Sequence, residues 1–185
     1  MRYLLLASVI LAAPASAAPV KHHVAGAAGH ASLPGFTFLG HDPDVAEPNP
    51  TNRDGSACSP DDKTPGEVNC SEVSISNPVM VGDEKVEIFD RSYYNGKLFS
   101  IMGLSNEGSF VGLLQAFTAK YGTPVLGTKP WQNKAGATFN NSTATWKFRN
   151  GTLELDSMGI QRDEPMFEFK ALQNYPPATA PKINF

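Results

Sequence analysis

Histidine, cysteine and long apolar runs are all scarce in this 185-residue chain, and each shortage excludes a kind of function. The four histidines lie before residue 42, and serine or cysteine nucleophiles usually need a histidine base within hydrogen-bond reach. We therefore expect no histidine-based active site in the folded part of the chain. A GxSxG nucleophile motif, a phosphate-binding loop and a dinucleotide fingerprint are also missing. The sequence predicts no catalytic residues and no cofactor, which favours a protein that is not an enzyme without deciding the question.

Basic residues are slightly outnumbered by acidic ones, because 15 Lys and Arg stand against 18 Asp and Glu for a net charge of −3. Nucleic-acid partners require a concentrated basic surface, so the sequence predicts no nucleic-acid binding. The apolar run at residues 4–13 is shorter than the stretch of about 20 residues that spans a bilayer as a helix. We expect no membrane span after removal of the N-terminal signal.

The chain begins with a pattern typical of a cleavable secretory signal. Arg2 precedes the apolar run, and a stretch of small residues ends it. We therefore predict a signal peptide at residues 1–17 and a periplasmic or secreted location. The weakly polar residues 18–34 are predicted to be a flexible segment, and the proline-rich residues 176–185 a flexible tail. Residues 35–175 are enough for a single domain with its own core.

The two cysteines, Cys58 and Cys70, predict a disulfide bond. They lie in a segment rich in Pro, Asp, Gly and Ser, and an exported chain meets an oxidising environment. A metal pair and free thiols are the alternatives, but eleven residues separate the cysteines, whereas paired zinc ligands are usually separated by about two to four. The disulfide would close part of the long irregular loop predicted at residues 41–65.

Acidic side chains in the loop at residues 42–62 offer the oxygen ligands that calcium prefers. The ligand order of an EF-hand fails, because Ala46 stands where a third oxygen ligand is needed. We interpret the segment as a solvated acidic loop, with a calcium site as the alternative. Histidines 22, 23 and 30 could hold a transition metal only loosely in a flexible segment, so the sequence predicts no metal site.

A β-hairpin is predicted in the middle of the chain, with its turn at Asn95-Gly96. This dipeptide suits a two-residue type I′ turn, in which both residues have positive φ. The register would pair Tyr93 with Leu98 and Phe89 with Met102 on one strand face. The other face then carries Tyr94, Phe99 and Ile101. Cover by the helix and by loops, or a bulge that shifts the register, is one interpretation, and a groove for a ligand or partner is the other.

An amphipathic helix is predicted directly after this hairpin. Apolar residues recur at helical spacing from Phe110 to Tyr121 and share one face. Ser105 or Asn106 is expected to cap the start of the helix, and Gly122 to end it.

A second hairpin is predicted at Asn150-Gly151, again a type I′ dipeptide between alternating segments. Its register would set Phe148 opposite Leu153, Trp146 opposite Leu155 and Lys147 opposite Glu154. Further strands are predicted at residues 36–39 and 166–172. Together these segments predict an α+β fold, in which an antiparallel sheet of five to seven strands carries one amphipathic helix packed on one face.

Trp131 is predicted to lie outside the regular elements, beside Lys129 and Lys134. There its ring could stack on a sugar or a peptide. A tryptophan in such a position more often closes the edge of a core, and both interpretations remain open. The candidate ligand-binding residues are thus Tyr94, Phe99, Ile101 and Trp131.

Three segments carry a resemblance to other proteins: KLFSI at residues 97–101, AKYGTP at residues 119–124 and ATWKFRNGTLEL at residues 144–155. They resemble small exported proteins of Gram-negative bacteria, mostly uncharacterised, and the resemblance covers about half of the mature chain. The resemblance implies an α+β periplasmic domain and transfers no catalytic residue. The long Pro- and Asp-rich insertion around Cys58 departs from that pattern.

Two functions from different classes follow. The first is a non-catalytic periplasmic or secreted module that binds an unknown protein or small-molecule ligand through a sheet face or an exposed edge. The second is a carboxylate-based hydrolase that acts on envelope glycans or peptides, which needs two carboxyl groups close together in a cleft. Candidate residues for the hydrolase are Asp90, Glu154, Asp156, Asp163 and Glu164.

Overall fold

The computed structural model describes residues 33–73 and 78–177. The predicted signal peptide, nearly all of the predicted flexible segment after it, and most of the predicted C-terminal tail lie outside these residues. Within them the chain forms nine strands and one helix. In chain order these are β1 (Ser59–Pro60), β2 (Glu67–Val73), β3 (Val79–Val81), β4 (Glu84–Tyr94), β5 (Lys97–Ser105), α1 (Phe110–Tyr121), β6 (Val125–Gln132), β7 (Thr138–Phe148), β8 (Gly151–Asp156) and β9 (Met166–Ala171).

The strands form one antiparallel sheet in the order β1-β2-β4-β5-β9-β8-β7-β6, with β3 paired to β4. The last strand, β9, lies between β5 and β8 and so joins the two hairpins into a single sheet. The predicted α+β fold of five to seven strands is therefore wrong, and the fold is β-rich with one 12-residue helix in the described part of the chain. The strands were undercounted because β6 is exposed along nearly its whole length and lacks an apolar alternation.

Aromatic side chains fill the core on the sheet face that α1 contacts. Phe36 stacks on Phe169 with ring centroids 3.8 Å apart, and Phe117 from α1 contacts Phe167 and Trp146. The strand predicted at residues 36–39 is absent, because Phe38 makes only an isolated bridge to His41. Leu39 and Gly40 between them both have positive φ, which turns the chain and leaves the preceding rings as core side chains.

Helix α1 spans Phe110–Tyr121, the range that the apolar spacing predicts. The C-terminal prediction is confirmed, since Gly122 has a φ of 85° and its N–H donates to Thr118 O. The N-cap prediction is wrong, because Ser109 occupies that position. Its hydroxyl donates to Asn106 O at 2.8 Å rather than capping a helical N–H.

The first hairpin turns at Asn95 and Gly96 with φ values of 50° and 74°, as predicted for a type I′ turn. Tyr93 pairs with Leu98 as expected, but the register shifts by one residue just beyond, so Phe89 pairs with Gly103 instead of Met102. The ring of Phe167 lies where a Cβ on Gly103 would be, and only glycine fits there. The bulge also moves Ile101 onto the buried face, opposite Arg91.

The predicted register of the second hairpin is wrong by two residues. The turn falls at Arg149 and Asn150, neither of which has positive φ. Asn150 is buried, and its Oδ1 accepts the N–H of Phe36 at 2.6 Å. Gly151 is the first residue of β8 and lies under the ring of Phe169. Tertiary contacts therefore use both residues of the supposed turn dipeptide. The observed pairs are Trp146 with Leu153, Lys147 with Thr152 and Thr145 with Glu154.

The predicted disulfide is confirmed, because Cys58 and Cys70 are bonded. Cys70 lies in β2 and Cys58 just before β1, so the bond ties the irregular segment before β1 to the sheet. No helix in residues 33–73 or 78–177 is long and apolar enough to cross a membrane.

Candidate functional site

An open groove of about 700 Å³ lies at the end of β6, between the β6–β7 turn and the loop after β8. We call it the Trp131 groove. Its lining residues are Trp131, Gln132, Asn133, Lys134, Ala135, Ile160, Gln161 and Arg162. The sequence analysis placed Trp131 outside the regular elements, and this is wrong, since Trp131 is the seventh of the eight residues of β6.

The indole ring of Trp131 is held in one orientation. Its Nε1 donates to Gly159 O at 3.0 Å, and the ring packs at a tilt against Phe139 of β7, with centroids 5.9 Å apart. The guanidinium of Arg162 lies 4.8 Å from the centroid of the same Phe139 ring. Trp131 and Arg162 thus both contact Phe139, and both line the groove.

Both walls of the groove are fixed by buried or turn-forming amides. The Asn133 Oδ1 accepts the N–H groups of Ala135 and Ala137 and closes the β6–β7 turn. Asn141, which is 1% exposed, accepts the Met158 N–H at 3.0 Å and holds the start of the loop after β8. The groove therefore exists without a ligand to order it.

The lining of the Trp131 groove is cationic in an acidic protein. It contains Lys134 and Arg162 and no carboxylate. Arg162 forms an exposed ion pair with Asp163 at 3.2 Å, whereas Lys134 has no ion-pair partner among the described residues. Lys129, predicted to lie beside the indole, is instead engaged by two carboxylates. The groove is thus suited to an anionic rather than a cationic ligand.

The other three predicted ligand residues lie elsewhere. Ile101 is fully buried in the core, and Phe99, 9% exposed, packs on Tyr175 with centroids 5.3 Å apart. Tyr94 is half-buried at the end of β4. Strands β9, β8 and β7 separate β5 from β6, so the structure does not bring these residues together with Trp131. Ligand binding by Tyr94, Phe99 and Ile101 stays a prediction. The bulge explains why Ile101 is buried, and the ring of Tyr175 packs on Phe99.

The sequence analysis missed a buried polar network under the segment at residues 41–53, which we call the His41 cluster. Its members are His41, Glu47, Glu72, Arg91 and Tyr93. Arg91, 2% exposed, donates to Glu72 Oε1 at 2.6 Å and to His41 Nε2 at 3.0 Å. The Tyr93 hydroxyl donates to Glu47 Oε2 at 3.2 Å. The sequence did contain a signal for this network: Arg91 lies between Phe89 and Tyr93 on the same, otherwise apolar face of β4.

Both ring nitrogens of His41 are engaged in this network. A guanidinium can only donate, so the Nε2 that faces Arg91 accepts, and Nδ1 lies 3.1 Å from Glu47 Oε1. A carboxylate orients this imidazole as in a catalytic triad, but the lone pair that a general base needs is occupied by Arg91. Burial raises the pKa of the Tyr93 hydroxyl, which keeps it a neutral donor.

A second cavity of about 340 Å³ adjoins this cluster. Its lining residues are Leu39, His41, Arg53, Pro78, Met80 and Phe89. His41 reaches it with both ring nitrogens already hydrogen-bonded. We find no side-chain donor set here that matches a defined ligand.

The carboxylates considered for a hydrolase do not form a cleft. Glu154 and Asp156 both accept from Lys129 Nζ, at 2.6 and 2.9 Å, on the outer face of the sheet. Burial raises the pKa of Asp156, an effect that its bond to Lys129 opposes. Asp90 lies three strands from Glu154 across the sheet, with β5 and β9 between them, and Glu164 is in the loop before β9. None of these carboxylates lines the two cavities.

The acidic loop also shows no metal-binding arrangement. Asp42, Asp54 and Asp61 each accept a backbone N–H two residues further on, and Asp44 forms an ion pair with Arg149 at 2.7 Å. Across the residues that the structure describes, no group of three or more His, Cys, Asp or Glu side chains could hold a metal ion.

Comparison with known protein families, with curated proteins and with solved structures yields no match.

Proposed function

We propose that this protein is a non-catalytic binding module of the periplasm or the extracellular space, and that the Trp131 groove is its ligand site. The observation that carries the proposal is the anchored juxtaposition of an indole, a guanidinium and an ammonium in one open groove. Binding sites combine a rigid apolar surface with a few placed polar groups. The groove meets that description.

The chemistry of the rest of the molecule supports binding rather than catalysis. His41 is part of a closed network, and the carboxylates Glu154 and Asp156 share one ion-pair partner, Lys129. Catalytic acids and bases need an accessible lone pair or proton near the substrate. The groove itself contains no carboxylate, histidine, serine or cysteine.

The disulfide is consistent with an oxidising, exported location. The signal-like pattern at residues 1–17 and the resemblance to small exported proteins of Gram-negative bacteria support the narrower proposal of the bacterial envelope or its exterior. An exported binding module would meet envelope polymers, exported proteins or small solutes as ligands.

The test is a ligand screen by NMR on the disulfide-bonded mature chain labelled with ¹⁵N. A panel of oligosaccharides, peptides and small anions is added, and amide shift changes are mapped onto the structure. We expect changes at residues 131–135 and 160–162, and their loss in Trp131→Ala. Lys63→Gln, which removes an exposed cation remote in sequence from the groove, is the control and should bind as the wild type does.

Shift changes that cluster away from the groove, or that persist in Trp131→Ala, would contradict the proposal. Turnover of any panel member that disappears on substitution of Glu154 or Asp156 would favour the hydrolase instead. Correct folding of Trp131→Ala is checked by the unperturbed amide signals of β4 and β5.

A further inference from the structure

We infer that the ligand of the Trp131 groove is an acidic saccharide, meaning a sugar chain that carries carboxylate groups. The inference rests on the proposed function and names the ligand class of the same groove. Three kinds of side chain in the groove correspond to three features of such a ligand: its ring, its carboxylate and its hydroxyl groups.

The ring of the sugar is matched by Trp131. Pyranose rings present a flat patch of C–H groups, which packs well on the face of an indole. The Nε1 bond to Gly159 and the contact with Phe139 hold that indole in place, so little conformational entropy is lost on binding. The exposed Ile160 extends the apolar surface on the neighbouring loop.

The carboxylate is matched by the two cations. Arg162 and Lys134 come from different segments, the loop after β8 and the β6–β7 turn, and both line the groove. Their side chains are not consumed by buried ion pairs, because the Arg162 contact with Asp163 is exposed. A guanidinium can bind a carboxylate through two parallel hydrogen bonds, while an ammonium adds a point charge. The groove lining contains no acid. A neutral sugar would therefore offer no negative charge to either cation, whereas an acidic sugar would.

The hydroxyl groups are matched by amides. Gln161 is exposed, lines the groove and has no side-chain partner within residues 33–73 and 78–177, so both its oxygen and its nitrogen are available to a ligand. Gln132 donates its Nε2 to Gly136 O at 2.9 Å and keeps its oxygen as an acceptor. Amide side chains both donate and accept, which suits hydroxyls that do the same.

An acidic peptide is the competing ligand, and the edge of β6 argues against it. A peptide that bound by strand addition would pair with the backbone of β6, the last strand of the sheet. Lys129 and Pro130 lie on that strand just before Trp131, and Pro130 has no N–H to offer. Charged residues and proline are the features with which proteins block edge pairing.

The experiment uses isothermal titration of the disulfide-bonded mature chain with tetragalacturonic acid at low ionic strength. Two matched ligands separate the contributions: the fully methyl-esterified tetrasaccharide keeps the rings without the charge, and tetraglutamate keeps the charge without the rings. We expect the acidic sugar to bind at least about tenfold more tightly than either, as loss of one good stacking or charged contact would give. Trp131→Ala should abolish measurable binding, Arg162→Gln should weaken it about tenfold, and Lys63→Gln should leave it unchanged.

Each outcome separates the inference from the function on which it rests. If tetraglutamate bound as tightly as tetragalacturonic acid, the affinity would come from charge alone. If the esterified sugar bound as tightly, no carboxylate would be needed. Either result overturns the ligand class, and so does the absence of binding by tetragalacturonic acid. If NMR screening still finds other ligands in the groove, the proposed function stands. If it finds them only elsewhere on the protein, both fail.

Discussion

The His41 cluster and the Trp131 groove contain similar side chains but differ in whether those side chains are accessible to a ligand. Each combines an arginine with aromatic rings and amide or carboxylate groups. In the cluster, Arg91 is 2% exposed and donates to Glu72, His41 and the backbone of Thr51. In the groove, Arg162 is exposed and engages only a ring and a neighbouring carboxylate. The first site is closed and the second is open.

This difference shows why a list of chemically capable residues does not identify a functional site. Buried polar groups are usually satisfied internally, and the cluster's histidine, carboxylates and guanidinium hydrogen-bond to one another and hold the 41–53 segment against β4. Groups at an open edge are satisfied by water, which a ligand can displace. We therefore assign a structural role to the cluster and binding to the groove.

The largest effect is expected from Arg91→Met, which would break the closed site. It leaves Glu72 as a buried charge without its partner, and removal of one member of a buried ion pair costs about 3–5 kcal/mol. Urea unfolding should show this loss, and the double variant Arg91→Met/Glu72→Gln should recover part of it. Arg149→Met, which breaks the exposed pair with Asp44, is the control and should cost about 1 kcal/mol or less. Similar losses in the two single variants would remove the distinction between closed and open sites.

Reduction of the Cys58–Cys70 disulfide should give the next largest effect. The bond ties Cys58, five residues after the segment that covers the His41 cluster, to β2, and a loop of this length is worth roughly 3 kcal/mol in the chain-entropy description. We expect a lower melting temperature after reduction and no free thiol before it. An unchanged melt with two thiols titrating in the untreated protein would contradict the bond.

The two tryptophans provide a smaller, direct comparison between core and groove. Trp146 is 1% exposed, packs on Phe117 and donates to Gly122 O, so Trp146→Ala should cost about 3–5 kcal/mol. Trp131 is half-buried on an edge strand, and Trp131→Ala should cost about 2 kcal/mol less than that. Equal losses of unfolding free energy would mean that Trp131 is a core residue and weaken the binding proposal.

The smallest expected effect is a change in pH dependence in Asp156→Asn. Burial raises the folded-state pKa of Asp156 above 3.8 despite the opposing bond to Lys129, so this carboxyl is most favourable to folding below its unfolded pKa. Its contribution is lost as the pH rises from about 3.8 through the higher folded-state pKa. Relative to the wild type, the variant should therefore gain stability with rising pH in that window. Urea midpoints from pH 3 to pH 7 test this, and an opposite slope would mean that the Lys129 ion pair outweighs burial.

Most of the sequence predictions that were accurate depend on local contacts, although the helix N-cap, also local, was predicted wrongly. The helix from Phe110 to Tyr121, its end at Gly122 and the turn at Asn95-Gly96 depend on residues a few positions apart. Sequence reasoning failed at Asn150-Gly151, where an equally good turn dipeptide was used for packing instead. The reason lies 114 residues away, in the bond from the Phe36 N–H to the Asn150 side chain.

The candidate site was predicted only in part for the same reason. Trp131 stood out as an aromatic residue with lysines nearby, but Lys129 belongs to an ion-pair network on the outer face, and Arg162 was not considered. Lys134 does line the groove as the sequence suggested, but the second cation, Arg162, comes from a loop about 30 residues further along the chain, brought there by the pairing of β6 with β7 and of β7 with β8. A sequence window around the tryptophan does not contain it.

The sequence by itself determined the helix, the first turn and the disulfide pair, because helix periodicity, positive φ at Asn-Gly and cysteine spacing are short-range properties. The tertiary structure alone decided the number of strands, the bulge that buries Ile101, and the division between a closed histidine cluster and an open tryptophan groove. Each of these depends on which distant side chain occupies the space above a strand: Phe167 over Gly103, Phe169 over Gly151 and the 41–53 segment over Arg91.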